Sequence, residues 1–245
     1  MPMSSPSDVH IWYQNTEAVD EQALEFADAL LCPEERAQRD RFRPYENRRD
    51  YAMAHSLLRR SLSFHAPHCR PADWRFEKTS LGKPYLTKSR IAGVGGSIPG
   101  LEFNLSHTCG FVACAISSRP VGIDVERVRK VMDYEEIAES HFSRHECQML
   151  RELPPNARAG RVMELWTLKE AFLKGTGHGL SGPLESIWFE LQESGAIKFH
   201  ASAGIDTSAW NFWLFAPEPE VKMAIAVECS PGQQIFLQGE AVLAM

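Results

Sequence analysis

Apolar residues recur along this chain in two rhythms, one close to 3.6 and one of two. The helical rhythm is clearest in residues 33–64, where Tyr51, Ala54, Leu57, Leu58 and Leu62 mark one face. Residues 20–31, 134–152 and 157–174 also read as helices, and Leu153-Pro154-Pro155-Asn156 separates the last two. The strand rhythm is clearest in Val121-Gly-Ile-Asp-Val-Glu126, where Val121, Ile123 and Val125 point one way and Gly122, Asp124 and Glu126 the other. Residues 9–14, 73–78, 84–87, 101–105, 111–117, 186–191, 196–200, 210–216 and 221–228 read as further strands. The stretch 89–100, rich in glycine, reads as a loop. The order strand, long helix, strands therefore occurs twice, dividing near Arg119-Pro120. The pattern predicts an α+β fold, with residues 1–119 and 120–245 as its two halves.

Composition narrows the class. The chain has 245 residues, 44% of them hydrophobic, enough for one large domain or two small ones. The first residues carry neither a basic region nor an apolar run, so no signal peptide is expected, and no stretch approaches a membrane span. Six scattered cysteines without a CxxC pair predict reduced thiols and a cytoplasmic protein. The net charge of −6 argues against a nucleic-acid binder.

Charge is concentrated locally. Residues 36–60 carry eight arginines against Asp40, Glu46 and Asp50. This could be a solvated helix face or an anion site, because arginine forks match phosphate oxygens. In Trp166-Thr-Leu-Lys-Glu170-Ala-Phe-Leu-Lys174-Gly175, Glu170 and Lys174 share a helix face, Trp166 lies one turn earlier, and Gly175 reads as the stop. The pair could hold a metal and a phosphate, or be an exposed ion pair worth a few tenths of a kcal/mol (about 0.2–0.5). In 121–126, Asp124 and Glu126 stand roughly 6.5–7 Å apart on one strand face and could share a hard cation; Gly122 beside them would admit a ligand. The same pattern suits an edge strand with a polar face.

Six segments in order resemble the 4′-phosphopantetheinyl transferases, specifically the larger, Sfp-type branch. They are Gly82-Lys83-Pro84, Phe103-Asn104-Leu105-Ser106-His107, Val121–Glu126, Phe142-Ser143-Arg144-His145-Glu146, Trp166–Gly175, and Gly179-Leu180-Ser181 with Pro183-Leu184. The resemblance covers about residues 33–185. It implies two similar α+β halves forming a pseudo-dimer, with the active site in the cleft between them, and a monomer in solution. It implies transfer of the 4′-phosphopantetheine arm of coenzyme A to a serine of an apo acyl or peptidyl carrier protein, with release of 3′,5′-ADP.

Asp124, Glu126 and Glu170 are then the expected Mg²⁺ ligands, Mn²⁺ being equally suited. Glu170 is the leading base and Glu146 the runner-up, with Lys174 assisting the departing phosphate. Arg49, then Arg48, is expected at the 3′-phosphate, although the family's upstream basic positions fall on Glu35 and Gln38. Lys83, Ser106 and His107 are expected to contact coenzyme A, and Lys169 to steady a phosphate from the side. Trp166 is expected to pack in the core.

Other classes remain. One is a catalytically inactive coenzyme A- or carrier-binding protein on the same fold. A second is a zinc hydrolase using His141 and His145, which lacks an HExxH order and a third ligand. A third is an ATPase using Lys174-Gly-Thr-Gly-His-Gly, which lacks GxxxxGK[ST] and follows a helix rather than a strand.

Overall fold

The computed structural model describes residues 9–86, 100–129, 133–177, 184–202, 204–228 and 235–239, the last as backbone only. The expected loop 89–100 lies outside these residues except for Gly100, as do the first five residues of 179–184.

The first sheet has the order β11-β1-β5-β4, formed by Ile235–Gly239, Val9–Asn15, Phe111–Ser117 and Glu102–Thr108. Helix α3, Tyr45–His65, packs on one face of it through Leu57, Leu58 and Leu62 against Trp12, Val112, Cys114 and Ile116. The second sheet has the order β6-β10-β9, formed by Val121–Arg127, Val221–Glu228 and Trp210–Glu218. Helix α6, Pro155–Thr176, packs against its Ala224 and Ala226 through Leu165, Leu168 and Phe172. Between the two sheets lies a shared apolar layer. Val9, Ile11, Ala113 and Ala115 meet Val121, Ile123, Val125, Met223 and Ile225 there. Strand β5 is buried along its whole length because both its faces are covered, which is why its sequence FVACAIS does not alternate.

The sheets adjoin at β4 and β6. No backbone ladder joins these strands. Instead Asn104 Oδ1 accepts from Ile123 N at 2.9 Å and Ser106 Oγ accepts from Val125 N at 3.2 Å. Side chains of one half thus satisfy the backbone of the other. The hairpins β2-β3 (Phe76–Lys78, Pro84–Leu86) and β7-β8 (Ile187–Leu191, Ile197–Ala201) complete the strands.

Expected and observed elements differ in four places. The helix expected over 33–64 is two helices, α2 (Pro33–Arg39) and α3, after α1 (Glu21–Leu30). Pro44 is the N-cap residue of α3; a proline cannot continue the hydrogen-bond ladder from α2. The helix expected over 134–152 is α4 (Tyr134–His141) and α5 (Arg144–Glu152). A reciprocal cap at Ser143 starts α5: Glu146 N donates to Ser143 Oγ, and Ser143 N donates to Glu146 Oε2. The strand expected over 73–78 is shorter, Phe76–Lys78, and Asp73 instead ends a 3₁₀ turn, Pro71–Asp73. Finally, β11, a strand the sequence pattern does not mark, pairs parallel with β1 and so extends the first sheet.

Gly122 also has a different task from the one its sequence context suggests. A Cβ there would stand 1.9 Å from the Ala171 carbonyl oxygen and 2.4 Å from Gly175 N. The glycine lets α6 lie directly on β6, and it is helix backbone, not a ligand, that fills the space. Gly175 lies inside α6 against Trp210, and the helix ends at Gly177 with φ +76°.

Candidate active site

Close contact between β6 and α6 brings the polar face of the strand under the helix. Asp124 is 3% exposed. Its Oδ1 accepts from Lys174 Nζ at 2.5 Å and from Ser106 Oγ at 3.0 Å. Lys174 also donates to Ser106 Oγ at 3.0 Å. The hydroxyl expected to meet a nucleotide is therefore committed to orienting Asp124 and Lys174. Glu126 accepts from Thr108 Oγ1 at 3.3 Å. Glu170, buried on α6, is close enough to feel the charge of Asp124.

The electrostatics of this cluster record an excess of negative charge. Burial, and then the neighbouring Asp124, push the carboxyls of Glu170 and Glu126 each up to about 7. Asp124 Oδ2 and Glu170 Oε1 are buried without a hydrogen-bond partner. Two orphaned carboxylate oxygens are the expected mark of a place for a cation. Among the described residues no three acidic, histidine or cysteine side chains converge tightly enough to form a complete protein cage. A hard cation that keeps waters and takes phosphate oxygens needs only one or two carboxylates, so Asp124 and Glu170 fit Mg²⁺, with Glu126 beside them.

His107 follows Ser106 on β4. Its side chain is exposed to solvent, yet burial by surrounding protein lowers its pKa, with Asp50 opposing and Lys174 adding to the shift. Arg49 and Arg48 line a cavity of about 290 Å³ with Tyr45, Arg39, Asp28, Asp40 and Leu24. Arg49 donates through Nε, and pairs through Nη2, with Asp50 Oδ1, both at 2.9 Å. Arg48 is tied to the carbonyls of Phe42 and Arg43. Lys83 reaches from the first half to donate to Gly175 O at 2.7 Å, near the end of α6.

Two expected site residues belong elsewhere. Lys169 is 0% exposed, and its Nζ donates to Glu146 Oε2 at 2.8 Å, to Leu184 O at 2.7 Å and to Ile187 O. Glu146 is also fully buried; it caps α5 and accepts from Phe189 N. Neighbours on a helix diverge by about 100°, so Lys169 leaves α6 away from Glu170 and knits α5, α6 and β7 together. The sequence reading of Lys169 as a phosphate contact and of Glu146 as an alternative base is corrected accordingly. Ser-x-x-Glu at 143–146 was the available signal, since a Glu three residues after a capping Ser is engaged by its own helix.

His141 and His145 lie on α4 and α5, and their partners are the Ile137 carbonyl and Glu190. They do not form the two-histidine site that a single helix would give. Trp166 packs against the second-half core and edge-on to His141.

The seam of the two joined α+β halves thus carries the buried carboxylates Asp124 and Glu170, Glu126 beside them, and the Lys174 ammonium held by Ser106. Residues 120–227 match the 4′-phosphopantetheinyl transferase superfamily, and residues 18–119 match the 4′-phosphopantetheinyl transferase N-terminal family. The 4′-phosphopantetheinyl transferase HetI of Nostoc is 32% identical over 90% of this chain and 87% of its own. The 4′-phosphopantetheinyl transferase Sfp of Bacillus subtilis is 29% identical over 80% of this chain and 82% of its own. The solved holo-[acyl-carrier-protein] synthase of Thermotoga maritima overlaps 44% of this chain and 61% of its own, at 26% identity and a TM-score of 0.36. This chain belongs to the 4′-phosphopantetheinyl transferase superfamily and is a transferase.

Proposed function

We propose that this protein moves the 4′-phosphopantetheine arm of coenzyme A onto a serine hydroxyl of an apo acyl or peptidyl carrier protein, releasing 3′,5′-ADP in a Mg²⁺-dependent reaction. The observation that carries this reading is the pair of orphaned buried oxygens, Asp124 Oδ2 and Glu170 Oε1, beside the Lys174 ammonium. Asp124, Glu126 and Glu170 would hold the cation, whose charge offsets that of the coenzyme A diphosphate.

The chain's own groups divide the remaining work. Ser106 fixes Asp124 and Lys174 in register. Lys174 presents its ammonium to the departing phosphate. Glu170, buried beside Asp124 and Lys174, takes the proton of the attacking serine. Arg49, Arg48 and His107 receive the 3′-phosphate end, and Lys83 links the two walls of the cleft. The free thiols of the five described cysteines suit a reducing compartment.

Intact mass spectrometry of an apo carrier mixed with this protein, coenzyme A and Mg²⁺ tests the proposal. A gain of one phosphopantetheine arm, abolished by chelating Mg²⁺, is expected. No gain on fatty-acid, polyketide or peptide carriers, with coenzyme A still bound, would point instead to a binding protein on this fold.

A further inference from the structure

Asp50 is a fully engaged carboxylate outside the Asp124–Glu126–Glu170 cluster. It is 2% exposed and sits on α3 next to Arg49. Its Oδ1 accepts from Thr16 Oγ1 at 2.5 Å and from the Arg49 guanidinium at 2.9 Å. Its Oδ2 accepts from Gly110 N at 2.9 Å. Thr16 N in turn donates to Gly110 O at 2.8 Å, which closes a ring of hydrogen bonds. Gly110 has φ +77°, and a Cβ there would meet the Glu17 side chain at 2.6 Å, so the turn is built for glycine. One carboxylate thus joins the end of β1, the start of α3 and the turn between β4 and β5, the turn that follows His107.

The consequence falls on Arg49. Its Nε and Nη2 are both spent on Asp50 Oδ1, whereas no hydrogen bond is made by Nη1 among the described residues. The guanidinium is clamped along one edge and the other edge is left for the cavity it lines. A free arginine side chain loses rotamer entropy when it is fixed on a ligand; here that ordering is done before the ligand arrives. We infer that Asp50 is a positioning residue: it pre-orients Arg49 and so sets how strongly this transferase distinguishes a coenzyme A bearing the 3′-phosphate from one lacking it. This rests on the reading of Arg49 as the 3′-phosphate contact.

Asp50→Asn is the informative change. With its amide oxygen toward Gly110 N, the Thr16 hydroxyl can turn from donor to acceptor, and only the Arg49 contact is lost. Calorimetric titration with coenzyme A and with dephospho-coenzyme A then gives a ratio of dissociation constants. Asp50→Asn is expected to weaken coenzyme A about tenfold, the loss of one charge-assisted hydrogen bond, and to leave dephospho-coenzyme A unchanged. Combining Asp50→Asn with Arg49→Ala should cost no more than Arg49→Ala alone. Equal weakening of both ligands would make Asp50 mere scaffold and overturn the inference, as would an unchanged ratio. If Asp50→Asn does not fold, Thr16→Val decides: a smaller shift of the ratio in the same direction supports the inference and an unchanged ratio overturns it. If Arg49→Ala itself weakens both ligands alike, the reading of Arg49 fails, and the role of Asp50 with it, while transfer to a carrier can still be seen by mass.

Discussion

Lys174 and Lys169 leave the same helix in different directions, and each finds a carboxylate. Lys174 remains half-buried beside Asp124 and Ser106; Lys169 is sealed against Glu146. Removing the charge of Glu146 should therefore act on stability. Glu146→Gln leaves a buried ammonium without its counter-charge, at a cost of about 3–5 kcal/mol, lowering Tm by ~10 °C. The KM for coenzyme A of the folded variant should stay near that of the parent. A Tm that held while turnover fell would return Glu146 to the chemistry. Glu170→Ala should do the reverse, abolishing the carrier's mass gain while calorimetry still detects coenzyme A. The i,i+4 spacing of Glu170 and Lys174 and the alternation at Asp124 and Glu126 were legible in the sequence, because periodicity alone puts them on common faces. The fate of Lys169 was not, since a helix face acquires meaning only from what packs on it, here Glu146 and the carbonyls of Leu184 and Ile187.

Strand β6 and helix α6 owe their contact to a single missing methyl group. Gly122→Ala would place Cβ against the Ala171 carbonyl and Gly175 N, both backbone atoms that cannot swing aside. The helix must rise off the strand, carrying Glu170 and Lys174 away from Asp124. We expect a loss of several kcal/mol, on the order of 2–4, together with loss of transfer, read by urea denaturation and by carrier mass. Ser143→Ala, which removes the cap of α5, should cost only ~1 kcal/mol. Element types were read correctly from periodicity almost everywhere. The errors lie at boundaries, where Pro44 and the Ser143–Glu146 cap override a hydrophobic rhythm that runs through them, and at β11, which the pattern does not mark as a strand.

Acid acts on the first half through two buried groups. His65, on α3, is held down to about 4 by burial and then by the charge of His10. Above pH 6.5 it is neutral in both folded and unfolded chains; from 6.5 down to 4 the unfolded chain takes a proton that the folded protein refuses, so stability falls by about 3 kcal/mol. Burial alone would raise the Glu35 carboxyl, but His55, Arg59 and the Cys32 amide pull it down to about 2. Its contribution is present above pH 4.5 and drains away from there toward 2. Urea midpoints should therefore drop in two stages, and His65→Gln should flatten the first while leaving the second.

The pairing of β1 with β11 joins strands from opposite ends of the described chain, in parallel. During synthesis the N-terminal half has α3 and its other strands in hand, but the outer edge of β1 stays open until residues 235–239 have left the ribosome. An apolar strand with an open ladder invites pairing with other chains in that interval. Closing so long a loop is also slow. The sheet that begins first is completed last, so yield in cells should depend on chaperones, and on truncation of the final strand, more than the stability of the finished protein suggests.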